Sequence, residues 1–313
     1  MAKKALRVAY GETLAELGAE NEKIVVLDAD LSNATMTKYF KEKYPERFFN
    51  MGIAEANLMG VAAGLAHSGY IPFASTFAIF GAGRAYEIVR NAIGYTHANV
   101  KLALTHSGIS VGEDGGSHQS IEDIALMREI PGMTIFVPCD AVQTARAVRA
   151  AAEISGPVYI RIARPAVETI TGEDAVFEPG KALILRDGGE SPDLCIVATG
   201  LLVREALAAA EALAAEGKRV SVVDIHTIKP FDGETVARLC AASRAVISAE
   251  EHSVFGGLGS AVAETLAEAG ICAAFGRIGI LDKFGQSGDP DELFDLYRLN
   301  AGAIIGKYRE LAK

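Results

Sequence analysis

No stretch of this 313-residue chain is long and apolar enough to read as a membrane span, because its longest apolar runs are short and broken by Gly or charge. The N-terminal Met1-Ala2-Lys3-Lys4-Ala5-Leu6-Arg7 is basic, but no apolar core follows it, so a secretory signal is not expected. Cysteines are few and scattered (Cys139, Cys195, Cys240, Cys272), with no CxxC spacing. That speaks against a disulfide framework and reads as reduced thiols in a cytoplasmic core. Tryptophan is absent, which decides nothing. A basic excess is also missing: the formal net charge is −10, with both signs mixed along the chain. Binding to a nucleic-acid backbone is therefore not expected, and an anionic substrate has to be captured by a local basic cluster. No repeat of solenoid period is present. What remains is a chain half hydrophobic, long enough for about two domains with a substantial core.

Short β-branched runs alternate with Ala-rich helical stretches almost from end to end, the pattern of a parallel sheet covered on both faces. The spacing predicts strands at 24–28, 71–73, 100–105, 134–137 and 158–162, with helices at 53–68, 84–96, 121–128 and 141–154 between them. Gly, Pro and acidic residues then break the rhythm, and residues 171–192 read as a linker with some strand of its own. The alternation restarts with strands at 194–198, 220–224, 245–249 and 272–278. The expectation is an α/β protein of two domains, 1–170 and 193–313.

Ligands of open α/β sheets bind outside the carboxyl ends of the strands, so polar residues just after strands are the candidates. Asp28-Ala29-Asp30-Leu31-Ser32-Asn33 is one such segment, where Asp and Ser also suit a turn or a helix cap. Glu55, in Asn50-Met51-Gly52-Ile53-Ala54-Glu55, can simply complement a helix dipole. Yet Leu58, Val61, Ala62 and Leu65 follow it, a lining too apolar to solvate a carboxylate. Such a group either has a raised pKa or awaits a ligand nitrogen. Phe77 and Phe80 stand at helical spacing, as core residues or as faces for a flat heterocycle. The richest segment, Thr105-His106-Ser107-Gly108 through Val111-Gly112-Glu113-Asp114-Gly115-Gly116-Ser117-His118-Gln119, fits no familiar zinc spacing. It reads as a solvated loop or as an acid–base site working near neutral pH. Arg161 and Arg164, at a strand end, are candidates for the basic cluster.

In this order and spacing the four segments resemble the pyrimidine-binding domain of transketolase, and the remainder of the chain resembles its C-terminal domain. Gly52-Ile53-Ala54-Glu55 and Gly112-Glu113-Asp114-Gly115-Gly116-Ser117-His118-Gln119 carry most of the likeness, which runs on through Pro138-Cys139-Asp140. The resemblance implies thiamine diphosphate as cofactor. Glu55 matches the glutamate that hydrogen-bonds N1′ of the aminopyrimidine and so readies its 4′-nitrogen to take the thiazolium proton, a task that a raised pKa suits. Phe77 and Phe80 match the residues flanking that ring, and Asp30 an aspartate near the thiazolium. His106, Asp114 and His118 match residues around the sugar, the histidines also counting as catalytic. Arg164, Arg7 and Ser32 match phosphate ligands.

Two departures from the family stand out. Gly83 occupies the position where a tyrosine follows the second phenylalanine, so Tyr86 or Arg84 has to close the pyrimidine pocket. The Gly-Asp-Gly that holds the diphosphate through Mg²⁺ or Ca²⁺ is missing, and this chain is expected to hold no metal itself. The resemblance therefore implies a split enzyme, with an N-terminal partner subunit in an α₂β₂ assembly acting on sugar phosphates. Two alternatives stay open: the β subunit of another thiamine enzyme (2-oxo-acid dehydrogenase or deoxyxylulose-phosphate synthase type), and a non-catalytic interaction subunit. Glu250-Glu251-His252-Ser253 followed by Gly256-Gly257-Leu258-Gly259 reads as an interface loop or an anion-binding helix start.

Overall fold

A computed structural model describes residues 3–172 and 175–313. Two largely parallel sheets form its two halves. The first has seven strands in the order Thr227–Lys229, Thr134–Phe136, Val158–Ile162, Lys101–Thr105, Ile71–Ser75, Ile24–Asp28 and Phe48–Asn50. The strands from Thr134–Phe136 to Phe48–Asn50 run parallel, and Ile24–Asp28, Lys101–Thr105 and Val158–Ile162, buried along their whole length, reflect helices on both faces. The second sheet runs Ala274–Ile280, Ala245–Ser253, Leu194–Ala198, Val220–Asp224 and Leu183–Arg186, the last antiparallel. Leu183–Arg186 lies inside the stretch read as a linker, and Thr227–Lys229 crosses from the second half to pair with Thr134–Phe136. The halves thus share a sheet as well as their apolar layers. Among the described residues no helix is long and apolar enough to cross a membrane.

The helix Leu6–Glu20 has no counterpart in the periodicity, because it is buried on most sides rather than on one stripe. Gly11 and Gly18 let it close onto the backbone of Met36 and the rings of Phe40 and Tyr44. The expected helix 84–96 is instead two π-helical runs, Ile79–Arg84 and Val89–Gly94, around a short α turn. Wide π turns of this kind are common beside functional sites.

Candidate active site

Every segment singled out in the first half follows the carboxyl end of a parallel strand: Asp30 after Ile24–Asp28, Glu55 after Phe48–Asn50, Phe77 after Ile71–Ser75, His106 after Lys101–Thr105, and Arg164 after Val158–Ile162. Because these strands are neighbours in one sheet, the segments share one edge.

Glu55 opens the helix Glu55–His67 and is 2% exposed. It is not the lone carboxylate expected from its apolar neighbours. Arg84 Nη1 donates to Oε2 at 3.0 Å, reaching in from an exposed position. The π turn Ile79–Arg84 carries that arginine, whose guanidinium also lies over the Phe80 ring, 4.7 Å from its centroid. Of the two residues considered for the pocket beside Gly83, Arg84 is thus the one that meets both Glu55 and Phe80. Oε1 of Glu55 makes no hydrogen bond among the described residues.

A chain of ring contacts continues from Phe80. Phe77 stacks parallel to it at 6.0 Å and lies on His106 at 3.9 Å, while His118 meets Phe80 edge-on at 5.3 Å. His106 adopts φ +55° directly after its strand, with Nδ1 2.9 Å from Thr105 Oγ1. Burial, followed by the charges of Arg7 and Arg164 and by His118, pushes its pKa down to about 3. It is therefore a neutral imidazole near neutral pH, with one ring nitrogen to donate and the other to accept a hydrogen bond. His118 is half-buried, with Nδ1 3.0 Å from Ser117 Oγ.

Arg7 and Arg164 come together because Lys4–Ala5 pairs antiparallel with Ala166–Val167, which sets the residues on either side of that ribbon face to face. Arg7 Nη1 donates to Ala34 O at 2.8 Å, but its Nε is buried without a partner. Desolvation first, then the Arg164 charge, lowers its pKa. Arg164 donates to Val111 O and, at 2.9 Å, to Glu113. Two cations sharing a site with one exposed carboxylate favour an incoming anion. Arg161 does not join them: it is 4% exposed and clamped on Asp123 at 2.7 Å.

Among the described residues, Asp30, Ser32 and Asp114 make no hydrogen bond or ion pair to this row. Asp30, at φ +64°, accepts from Asn50 Nδ2 at 2.9 Å. Ser32 starts the four-residue helix that carries Ala34, and so stands beside Arg7. Asp114 is exposed on the Gly-rich loop. Asp28 proves to be structural: fully buried, it accepts from Leu31 N, Thr35 and Thr37. In the second half, Glu250 accepts from the amides of Leu258 and Gly259 at 2.7 Å each, so the helix start read as a possible anion site is filled from within the chain. Asn50 and Glu251 carry no spacing signal of their own in the sequence, and only the fold shows what they hold.

The family models for the transketolase pyrimidine-binding domain and the transketolase C-terminal domain match residues 2–169 and 180–304. The chain belongs to the transketolase family. It is 49% identical over 312 residues to a Methanocaldococcus jannaschii protein named as a putative transketolase C-terminal section, covering 99% of this chain and 97% of that one. It is 42% identical over 308 residues to a 6-deoxy-6-sulfo-D-fructose transketolase subunit of Clostridium sp., covering 98% and 94%. Among solved structures, a split-gene transketolase described as an inactive β4 tetramer superposes with a TM-score of 0.90 at 52% identity, covering 98% of each chain. Against human transketolase the identity is 35%, and the chain spans 49% of that protein.

Proposed function

We propose that this chain is the C-terminal subunit of a two-chain, thiamine-diphosphate-dependent transketolase, moving a two-carbon ketol unit from a ketose phosphate to an aldose phosphate. The observation that carries the reading is the unbroken row from Glu55 through Arg84, Phe80 and Phe77 to His106, beside the Arg7–Arg164 pair. Glu55 is 2% exposed and its Oε1 has no hydrogen-bond partner among the described residues, which suits the N1′ side of an aminopyrimidine. Phe77 and Phe80 offer faces for the ring, with Asp30 toward the thiazolium. When bound, thiamine diphosphate supplies the carbon nucleophile and the electron sink.

The chain's own residues orient the sugar. His106, neutral, bonds a hydroxyl through whichever nitrogen the Thr105 contact leaves free. His118 bonds the sugar or its phosphate, and Asp114 reads a hydroxyl. Arg7, Arg164 and Ser32 take the terminal phosphate. The Clostridium relative's name supports a second substrate class: a sulfonated sugar presents one negative charge shared over three oxygens to the same arginines.

The diphosphate and its Mg²⁺ or Ca²⁺ fall to a separate subunit bearing Gly-Asp-Gly, in an α₂β₂ assembly with this chain at its centre. Two relatives of matching length, a putative C-terminal section and a split-gene β4 tetramer that is inactive, support that division. Residues 1–170 then form the pyrimidine domain and 193–313 the C-terminal domain. All four cysteines are free thiols, which fits a cytoplasmic enzyme.

The test mixes this chain with the N-terminal subunit, thiamine diphosphate, Mg²⁺, xylulose 5-phosphate and ribose 5-phosphate. Glu55→Ala should remove turnover while leaving the fold intact, because it frees an arginine that is already half exposed. Near-normal turnover in that mutant sinks the assignment of Glu55. Turnover of the sulfo-sugar alone selects the second substrate class.

A further inference from the structure

The Gly-rich loop that carries His106, Asp114 and His118 belongs to the first half, yet its inner side rests on a residue of the second. Glu251 lies in the strand Ala245–Ser253, 2% exposed, and its Oε1 accepts from Ser110 N at 2.6 Å. Gly108 is shaped to the same contact: its φ is +74°, and a Cβ there would collide with the Glu251 carboxylate. Two further bonds dock the strand under the loop, Ser253 N to Ile121 O at 2.7 Å and Arg161 Nη2 to Glu251 O at 2.9 Å. Arg161 is in turn fixed by Asp123, which also accepts from Tyr159 at 2.5 Å.

A buried carboxylate is a costly way to bind one backbone amide. Its second oxygen, Oε2, is buried without a partner, as are the hydroxyls of Ser107, Ser110 and Ser120 in the same loop. A hydrophobic side chain would fill this space at less cost, but it could not accept from Ser110 N. What the carboxylate alone provides is a fixed position for the first turn of Ile109–Asp114.

We propose that Glu251 is a positioning residue, through which the C-terminal half sets the loop that places His106 and His118 against Phe77 and Phe80. The proposal rests on the functional reading above for what the loop faces, though not for the contact itself. Gln119 ties the outer side of the loop to Gln286 at 2.9 Å, so loss of Glu251 loosens the loop without releasing it.

The test compares Glu251→Ala, which removes the acceptor, with Glu251→Gln, which keeps an oxygen in place. In the free chain, amide hydrogen exchange at Ser110 should rise about 10-fold in the alanine variant and stay near wild type in the glutamine variant, as expected for losing one buried hydrogen bond. In the reconstituted pair, the alanine variant should raise KM for the sugar phosphate by about 10-fold with kcat within about 2-fold, and glutamine should restore it. If the alanine variant does not fold, Glu251→Asp, one methylene short of Ser110, takes its place. An unchanged Ser110 exchange rate in a folded variant overturns the proposal, as does a glutamine variant no better than alanine. Faster Ser110 exchange in a pair that performs no ketol transfer upholds the positioning role and discards the functional reading instead.

Discussion

Asp224 offers the sharpest test of how the two halves are held together. It ends the strand Val220–Asp224, is fully buried, and accepts from Gln143 Nε2 at 2.6 Å across the boundary between the halves. Its other oxygen has no partner. Burial first, with Asp140 adding like charge, pushes its pKa up from 3.8 to about 7. The sign follows directly. Between pH 4 and 7 the native state holds a proton that the unfolded chain has lost, so stability is full below pH 4 and declines as pH rises through 7. At about 1.4 kcal/mol per pH unit, roughly 3 kcal/mol disappears between pH 5 and 8. Asp224→Asn removes this dependence, because an amide carries no charge to desolvate. Its NH₂ finds no acceptor at the former Oδ1 position, at a cost of about 1–2 kcal/mol. The mutant should therefore be less stable than or equal to wild type at pH 5 and more stable at pH 8. Urea unfolding of the free chain at the two pH values measures both. A mutant-minus-wild-type difference that stays constant between them refutes the reasoning.

Arg164→Gln removes one of the two cations facing the proposed phosphate. KM for sugar phosphates should rise about 10–100-fold with little change in kcat, while non-phosphorylated sugars should show no difference. Equal losses for both substrates would mean that Arg164 only holds the loop at Val111 and Glu113. His106, with its pKa pushed down to about 3, stays neutral across the working range. As pH falls from about 6.5 toward 3 the unfolded chain takes up a proton that native His106 does not, so this residue's contribution to stability is lost on acidification. His106→Gln should flatten that loss and leave the position of any kcat step near neutral pH unchanged; a kcat step that vanishes with the mutation assigns the titration to His106 after all.

Much of the fold was legible because parallel strands buried on both faces write themselves as continuous apolar runs. Ile24–Asp28, Val158–Ile162, Leu194–Ala198 and Val220–Asp224 fall where the runs predict them. Leu6–Glu20 was not legible: a helix buried nearly all round has no polar stripe, and its two glycines look like breaks rather than close contacts. Nor was Thr227–Lys229, a three-residue strand that leaves its own domain. Local pattern is silent about pairing at such distance.

The site divides along the same line. Residues that follow strands could be found by position, since the sheet brings consecutive carboxyl ends together whatever the loops contain. Residues whose role depends on the angle of approach could not. Arg161 and Arg164 sit three apart and look alike in sequence; one points into the core against Asp123, the other to the Gly-rich loop. Arg84 was in view as a residue that could close the pyrimidine pocket, but not as the partner of Glu55. At α-helical spacing it is four residues from Phe80 and seven from Phe77, on the same face as both rings. What that spacing does not show is the reach to Glu55: in the π turn Ile79–Arg84 the guanidinium lies over Phe80 and also meets Glu55. Glu55 can be buried in an apolar lining because that charge reaches it from the solvent side.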